Sequence, residues 1–279
     1  MKYKLVCIDI DGTLLNSRKM VTEKTKKVLK EAYDKGVHIV ITTGRIFNNA
    51  AYYSDLLGVK SVVIAANGGI IREKDEDKVI YIKELEKEKC DKILELAKKY
   101  KVGAHFHTPD KVFTNSYWQN LITYAAMSFR KPENRKVQTN VIKTQNEWTK
   151  VFKEHSKDIV KCIIIEFNKK KKAKFREELS KISGLEIASS GFYNIEINKE
   201  GTSKGEAVKH LANYYGINRQ EVIAVGDNEN DLSMIRYAGL GVAMGNAIEE
   251  VKKEANYITD NNNNDGVAKM VEKFILNKK

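Results

Sequence analysis

The chain has 279 residues, 42% hydrophobic and 31% charged, enough for one large core or two modest ones and too apolar for global disorder. Its 49 Lys and Arg against 37 Asp and Glu give a formal charge of +12, which favours anionic partners without selecting one. Three cysteines, Cys7, Cys90 and Cys162, are widely spaced with no CxxC, which argues against a disulfide framework or a thiolate zinc site and makes a reducing compartment the default. Met1 and Lys2 lead straight into an apolar run with no signal-peptide pattern, and no stretch approaches the ~20 apolar residues of a membrane span. The expectation is a cytoplasmic protein with no membrane partner.

Apolar runs at Leu5 to Ile8, Val37 to Ile41 and Val62 to Ala66 are continuous rather than alternating, which predicts strands buried on both faces of a parallel sheet. Helix patterns lie between them, over Thr22 to Lys35 and Ile46 to Leu57, closed by Gly36 and Gly58. From about Glu84 to Ser190 the rhythm changes. Here the patterns predict a helix over Lys87 to Tyr100, a strand at Val102 to Phe106 and a helix from Tyr117 to about Phe129. A further run follows from Glu147, with a strand at Ile159 to Phe167 and a helix at Lys172 to Ile182. The basic run Lys169 to Lys174 reads as a solvated turn and helix start, and no aromatic residues interleave with it as a base-stacking surface would require. Trp118 and Tyr124, at helical spacing, are expected in the core of this segment.

After Gly191 the alternation of strand and helix resumes. It comprises a helix at Ser203 to Tyr215, strands at Val222 to Val225 and Leu240 to Met244, a helix from Asp231 to Ala238 and a last helix from Gly266 to Leu276. The tract Asn261 to Asn264 reads as a loop. Gly239, Gly241 and Gly245 bracket a strand instead of joining strand to helix, which sets dinucleotide binding aside. The fold class is therefore α/β, a Rossmann-like parallel sheet flanked by helices. It is discontinuous, residues 1–83 and 191–279, around an inserted α+β domain of residues 84–190.

Four local patterns carry chemistry. In Asp9-Ile10-Asp11-Gly12-Thr13, strand alternation puts Asp9 and Asp11 on one face, roughly 7 Å apart at Cα, at the carboxyl edge where open α/β sheets hold ligands. Thr42-Thr43-Gly44-Arg45 ends the second strand, where a hydroxyl and exposed amides can cradle an anion. Lys204 opens a helix, a position the macrodipole disfavours for a cation. Gly226-Asp227-Asn228-Glu229-Asn230-Asp231 concentrates oxygen donors suited to a hard cation at a strand tip. Each has an ordinary structural alternative: an Asp-Gly turn, a strand-to-helix turn, a surface lysine and an N-cap at Asp231.

Taken together and in this order, these pieces resemble the haloacid dehalogenase-like (HAD) hydrolases. The closest pattern is that of the Cof-type phosphatases with a large inserted cap of the C2, or IIB, type. DxDGT is matched by Asp9 to Thr13, the Thr/Ser motif by Thr43-Gly44, the lysine motif by Lys204 and GDxxND by Gly226 to Asp231. Asn67-Gly68-Gly69 looks like the subgroup's turn after the third strand. The resemblance spans essentially the whole chain.

It implies hydrolysis of a small-molecule phosphate monoester through an aspartyl-phosphate. Asp9 would be the nucleophile and Asp11 the general acid and base, with a pKa raised by burial and acidic neighbours. Mg²⁺ would be held by Asp9, the Asp11 carbonyl and Asp227. Thr43, Gly44, Lys204 and Asn230 would bind the phosphate, with Asp231 orienting Lys204 or a metal-bound water. The cap would choose the substrate, a sugar phosphate or a cofactor phosphate such as flavin mononucleotide or pyridoxal phosphate, with His105 and His107 as its candidate contacts. An HxH pair could also be half a zinc site, but no third ligand is evident. The alternatives are a phosphomutase or narrow sugar-phosphatase of the same superfamily, a receiver-type phosphoacceptor, and a nucleic-acid binder suggested by charge alone. No nucleic-acid partner is expected, and the chain is expected to be a monomer or weak dimer.

Overall fold

The computed structural model describes residues 2–76, 78–121, 132–189 and 193–278. They divide into two compact units, one of residues 1–45, 50–81 and 203–279, the other of residues 46–49 and 82–202.

The first unit is built on β1 (Leu5–Ile8), whose four residues are all buried. On one side lie β2 (His38–Thr42) and β3 (Val62–Ala65), on the other β12 (Val222–Gly226), β13 (Leu240–Ala243) and β14 (Tyr257–Ile258), all parallel to it. β4 (Ile70–Glu73) returns antiparallel on β3, and β5 (Val79–Ile82) forms the edge. Parallel strands need crossovers, here made by α1 (Glu23–Asp34), α2 (Phe47–Asp55), α6 (Lys204–Tyr214), α7 (Leu232–Tyr237) and α8 (Glu249–Glu254), while α9 (Gly266–Phe274) follows the last strand and packs on α1. Leu5, Cys7, Val40, Ile64 and Val222 pack with Val208, Leu211 and Met234 in one cluster. α1 shows the local rules at work: the Thr22 hydroxyl accepts from the Thr25 amide, and Gly36 follows at φ +88°.

β1 and β12 are the neighbours from which the chain winds in opposite directions. Their register pairs Ile8 with Val225, and the Asp9 amide continues it by donating to the Val225 carbonyl at 3.1 Å. Their carboxyl ends therefore coincide, so any side chain placed just after either strand enters one crevice.

The second unit contains a six-stranded sheet in the order β10–β11–β9–β6–β7–β8. Its strands are β6 (Gly103–His107), β7 (Lys111–Thr114), β8 (Gln138–Val141), β9 (Lys161–Ile165), β10 (Leu185–Ala188) and β11 (Asn194–Lys199). Its helices are α3 (Lys87–Tyr100), α4 (Gln145–Glu154) and α5 (Lys169–Ser180). Alternation sorts the strands: Ala104, Phe106, Cys162, Ile164, Ile195 and Ile197 join the helices in an apolar core with Trp148 and Phe152 at its centre. His105, His107, Lys161, Glu196 and Asn198 alternate with them and take the opposite face.

Several expectations are corrected here. Residues 194–199 belong to this second sheet, because β11 pairs antiparallel with both β9 and β10; the unit accordingly runs to Thr202 rather than stopping at 190. Lys169 to Lys174 is not a turn but the first half of α5, capped by the Asn168 side chain. Trp118 is 76% exposed and does not belong to the core; Tyr124, and the expected helix beyond residue 121, lie outside the described residues.

The Phe106, Trp148 and Phe152 rings meet with centroids 4.9–5.4 Å apart, so truncation at the centre leaves a cavity that the neighbours cannot refill. Phe152→Ala should destabilise the second unit by about 3–5 kcal/mol, read as a shift in the denaturant midpoint of the transition that exposes Trp148.

Candidate active site

Asp9 follows β1 directly, buried at 5% exposure. Its Oδ1 accepts from the Lys204 ammonium at 2.6 Å, and Lys204 donates equally, at 2.6 Å, to Asp231 Oδ1. Lys204 is the first residue of α6 and is 1% exposed. A cation at this unfavourable helix position is thus accounted for by two carboxylates. Asp231 uses its second oxygen too: Oδ2 accepts from the Asp227 and Asn228 amides at 2.9 and 3.0 Å. It closes a capping box with Asn228 around the turn Glu229–Asp231. Asp227 Oδ1 accepts from the Thr13 hydroxyl at 2.8 Å. Gly12, at φ +82°, passes so close that a Cβ there would lie 2.3 Å from Asp227 Oδ2, which is why the acidic pentapeptide carries glycine.

Thr43 is buried, and its hydroxyl oxygen accepts from the Arg45 amide at 3.2 Å, keeping the O–H proton for another acceptor. Gly44 lies between them in the same turn. Asn230 donates to Asn67 Oδ1 at 3.2 Å, which ties the tip of β12 to the turn after β3. Asp11 points elsewhere. Both its oxygens are taken by Arg45, from Nε to Oδ2 and Nη2 to Oδ1 at 2.6 Å each, and Lys19 reaches Oδ1 at 3.2 Å. The guanidinium rests on the Tyr53 ring, 4.8 Å from its centroid. Sequence reasoning named Arg45 in its turn without a role and passed over Lys19 and Tyr53, since an arginine after a strand is ordinary turn chemistry and only the fold reveals where its fork lands.

The chain from residue 6 to 271 matches the family model for haloacid dehalogenase-like hydrolases. It belongs to that family. The match is of the Cof type, and the protein is a phosphatase hydrolase of the HAD superfamily. It is similar to the 5-amino-6-(5-phospho-D-ribitylamino)uracil phosphatase YcsE of Bacillus subtilis, with 33% identity over 98% of this chain and 96% of the relative. A haloacid dehalogenase-like hydrolase from B. subtilis superposes at a TM-score of 0.85 with 30% identity, covering 98% of this chain and 100% of that one. The fold is shared as well by the HAD subclass IIB sugar phosphatase BT4131, at a TM-score of 0.76 and 24% identity over 97% and 98% of the two chains.

HAD enzymes generally work with a divalent metal, and the residues here fit one. Carboxylate oxygens of Asp9, Asp227 and Asp231 lie within 4.8 Å of one another. Three carboxylates around one ammonium leave two negative charges in a buried region, with oxygen donors of the kind a hard cation takes. Burial, with Asp231 and Asp227 beside it, drives the Asp9 carboxyl well above the ordinary range against the pull of Lys204. Asp227 is pushed up to about 6 by burial and then by Asp231. Lys204 itself stays charged: burial works against the ammonium, but Asp231 and Asp9 outweigh it and raise its pKa. The expected ligand set included the Asp11 carbonyl, while the side-chain cluster pairs Asp9 and Asp227 with Asp231.

The expectation of a raised Asp11 pKa is overturned. Burial does act upward, but the Arg45 hydrogen bonds and charge, aided by Lys19, hold this carboxyl at about 2.

His105 and His107 lie in the second unit, each under 3% exposed. His105 Nε2 meets Gln119 Oε1 at 2.8 Å, and neither Nδ1 has a hydrogen-bond partner among the described residues. No group of three ligating side chains among those residues includes either histidine. Burial lowers both pKa values, His107 furthest because Lys161 and then His105 add to it.

Two measurements follow. Arg45→Met should let the Asp11 carboxyl rise from about 2 toward or beyond the ordinary value near 4, read from its carboxyl ¹³C shift on titration; an unmoved Asp11 would show that Arg45 is not the cause. For His107, the folded pKa lies below the unfolded value of 6.5, so the unfolded chain binds more protons between them. Stability is then full above about pH 6.5 and falls as pH drops; His107→Gln should flatten this decline in urea midpoints taken from pH 8 to 5.

Proposed function

We propose that the protein hydrolyses small-molecule phosphate monoesters through a phosphoryl-enzyme formed on Asp9. The observation that carries this reading is the Asp9–Lys204–Asp231 arrangement: a buried carboxylate whose Oδ1 is pinned by an ammonium at 2.6 Å, itself pinned by a second carboxylate. No hydrogen bond to Asp9 Oδ2 is present among the described residues, and this oxygen would attack phosphorus. The bond from phosphorus to the leaving oxygen breaks as the bond to Oδ2 forms, and the leaving oxygen takes its proton from Asp11. In the second half, water attacks phosphorus, Asp11 takes back a proton, and Asp9 is released with inorganic phosphate. Splitting the reaction in this way lets one carboxyl serve as acid and then as base.

Asp9, Asp227 and the Asp11 carbonyl would hold Mg²⁺, which when bound neutralises the repulsion between carboxylate and phosphate. Lys204, the Thr43 hydroxyl, the Gly44 amide and the Asn230 amide would take the remaining phosphoryl oxygens. Asp231 would act through Lys204. For Asp11 to donate, the Arg45 fork must release it, and a dianionic phosphate is the competitor able to draw a guanidinium away.

The first unit, residues 203–279 included, would be the catalytic core, and the second unit, with residues 82–202, the cap. Substrate choice would reside in the second unit, with His105 and His107 as its candidate specificity residues. Neutral imidazoles buried beside Lys161 and Glu196 suit a hydroxylated leaving group better than a charged one. Three relatives of full length are named as phosphatases of 5-amino-6-(5-phospho-D-ribitylamino)uracil, so a phosphorylated polyol on a heterocycle heads the substrates to assay. Flavin mononucleotide, pyridoxal phosphate and sugar phosphates follow.

The wild-type chain should release phosphate from at least one of these compounds only when Mg²⁺ is supplied. The nearly isosteric Asp9→Asn should lose turnover by at least ~10³-fold with an unchanged circular dichroism spectrum. Retention of most activity in that variant would refute the role of Asp9, and phosphate appearing on a second sugar hydroxyl would identify a mutase.

A further inference from the structure

The asparagine tract read from sequence as a plain loop lies against the segment that follows the acidic pentapeptide. After β13 the chain makes a tight turn in which the Ala247 amide donates to the Met244 carbonyl at 2.9 Å and the Gly245 amide to the Asp260 carbonyl at 3.1 Å. Gly245 permits the approach, since a Cβ there would lie 2.9 Å from the Asn261 nitrogen. At the tip of the turn Asn246 donates through Nδ2 to the Gly12 carbonyl at 2.9 Å, and its Oδ1 accepts from the Asn262 amide at 2.9 Å. Asn262 donates through its own Nδ2 to the Leu15 carbonyl at 2.8 Å, and Asn263 Oδ1 accepts from the Ser17 amide at 2.9 Å. Three asparagines thus hold three backbone groups of the segment that follows Asp11.

The same turn holds the other acidic loop. The Ile248 amide donates to the Asp227 carbonyl at 3.0 Å. Residues 246–248 therefore grip Gly12 on one side and Asp227 on the other, where these two are in closest contact. Side-chain amides suit this task because one group donates and accepts at once, and because they add no charge to a region already rich in carboxylates.

We propose that Asn246 and Asn262 are positioning residues that set the spacing between the Asp9–Gly12 segment and Asp227, and through it the affinity for the divalent cation. This rests on the reading of Asp9 and Asp227 as cation ligands. The two asparagines act through the Gly12 and Leu15 carbonyls.

The test is calorimetric titration of the full chain with Mg²⁺ alone, which needs no turnover. Asn246→Leu and Asn262→Leu keep the side-chain size and remove the amide. Each should weaken Mg²⁺ binding at least about tenfold, the lower end of what lost outer-sphere support costs, with a thermal midpoint near that of wild type. Asn264→Ala serves as the control, because its side chain reaches Asp260 instead, and should bind as wild type does. Asp227→Ala tests the underlying reading and should abolish binding. Mg²⁺ affinity within twofold of wild type in both leucine variants, with Asp227→Ala inert, would overturn the positioning role and leave the ligand assignment intact. If a leucine variant fails to fold, Asn246→Ser, which retains a donor and an acceptor on a shorter arm, replaces it, and the same tenfold criterion applies. Binding unaffected by Asp227→Ala would refute the ligand assignment and the positioning role together.

Discussion

A lysine ammonium with 1% of its surface in contact with solvent organises this protein. Moving such a charge out of water is costly unless oppositely charged groups meet it with good geometry. Lys204 meets two, Asp9 after β1 and Asp231 after β12. The pairing joins three segments far apart in sequence, and each has its position set separately. β1 and β12 share one register, and α6 is started by Ser203, whose hydroxyl accepts from the Glu206 amide. Removing Lys204 would leave two buried carboxylates without their compensating cation. The same feature that makes the arrangement useful for handling a phosphate therefore also locks it into the fold.

How much of this could be read from sequence depended on whether a local rule was being broken. Asp9 and Asp227 stood out because strands buried on both faces have no reason to end in acids, and Lys204 because a helix start repels a cation. Asp231 was ambiguous between cap and function, and the structure shows it closing a capping box while its other oxygen holds Lys204. Where no local rule was violated, the sequence was silent. Arg45 after a strand is unremarkable until its fork is seen on Asp11. The strand Asn194–Lys199 alternates Ile195 and Ile197 with Glu196 and Asn198, and such a half-polar pattern does not say which of two sheets it joins. Trp118 sits at helical spacing, yet periodicity alone does not say that a helical face is covered.

The asparagine run illustrates a related limit. Four identical polar residues look like filler, because their value lies entirely in which backbone groups they meet. Asn261 caps its own turn by accepting from the Asn263 amide, Asn262 and Asn263 reach across to the β1 loop, and Asn264 turns to Asp260. Composition assigns them one role; geometry assigns them three. A loop rich in small amides can thus be as specific as a charged motif, provided the opposing backbone offers unpaired carbonyls at the right intervals.

Asp9 and Asp11 are two residues apart and are driven in opposite directions, Asp9 upward by burial among carboxylates, Asp11 down to about 2 by Arg45. The mechanism proposed above would need the reverse: an ionised Asp9 and a protonated Asp11. Both inversions would be removed by adding charge of the right sign. A cation held by Asp9 and Asp227 would cancel the crowding that favours a proton on Asp9. An incoming phosphate dianion offers Arg45 a bidentate partner, leaving Asp11 with its burial, which acts upward. On that mechanism the required protonation states would be properties of the loaded site, and substrate binding would activate the acid. Such coupling would keep Asp11 from acting before a phosphate has arrived, with Arg45 as the residue that carries the message.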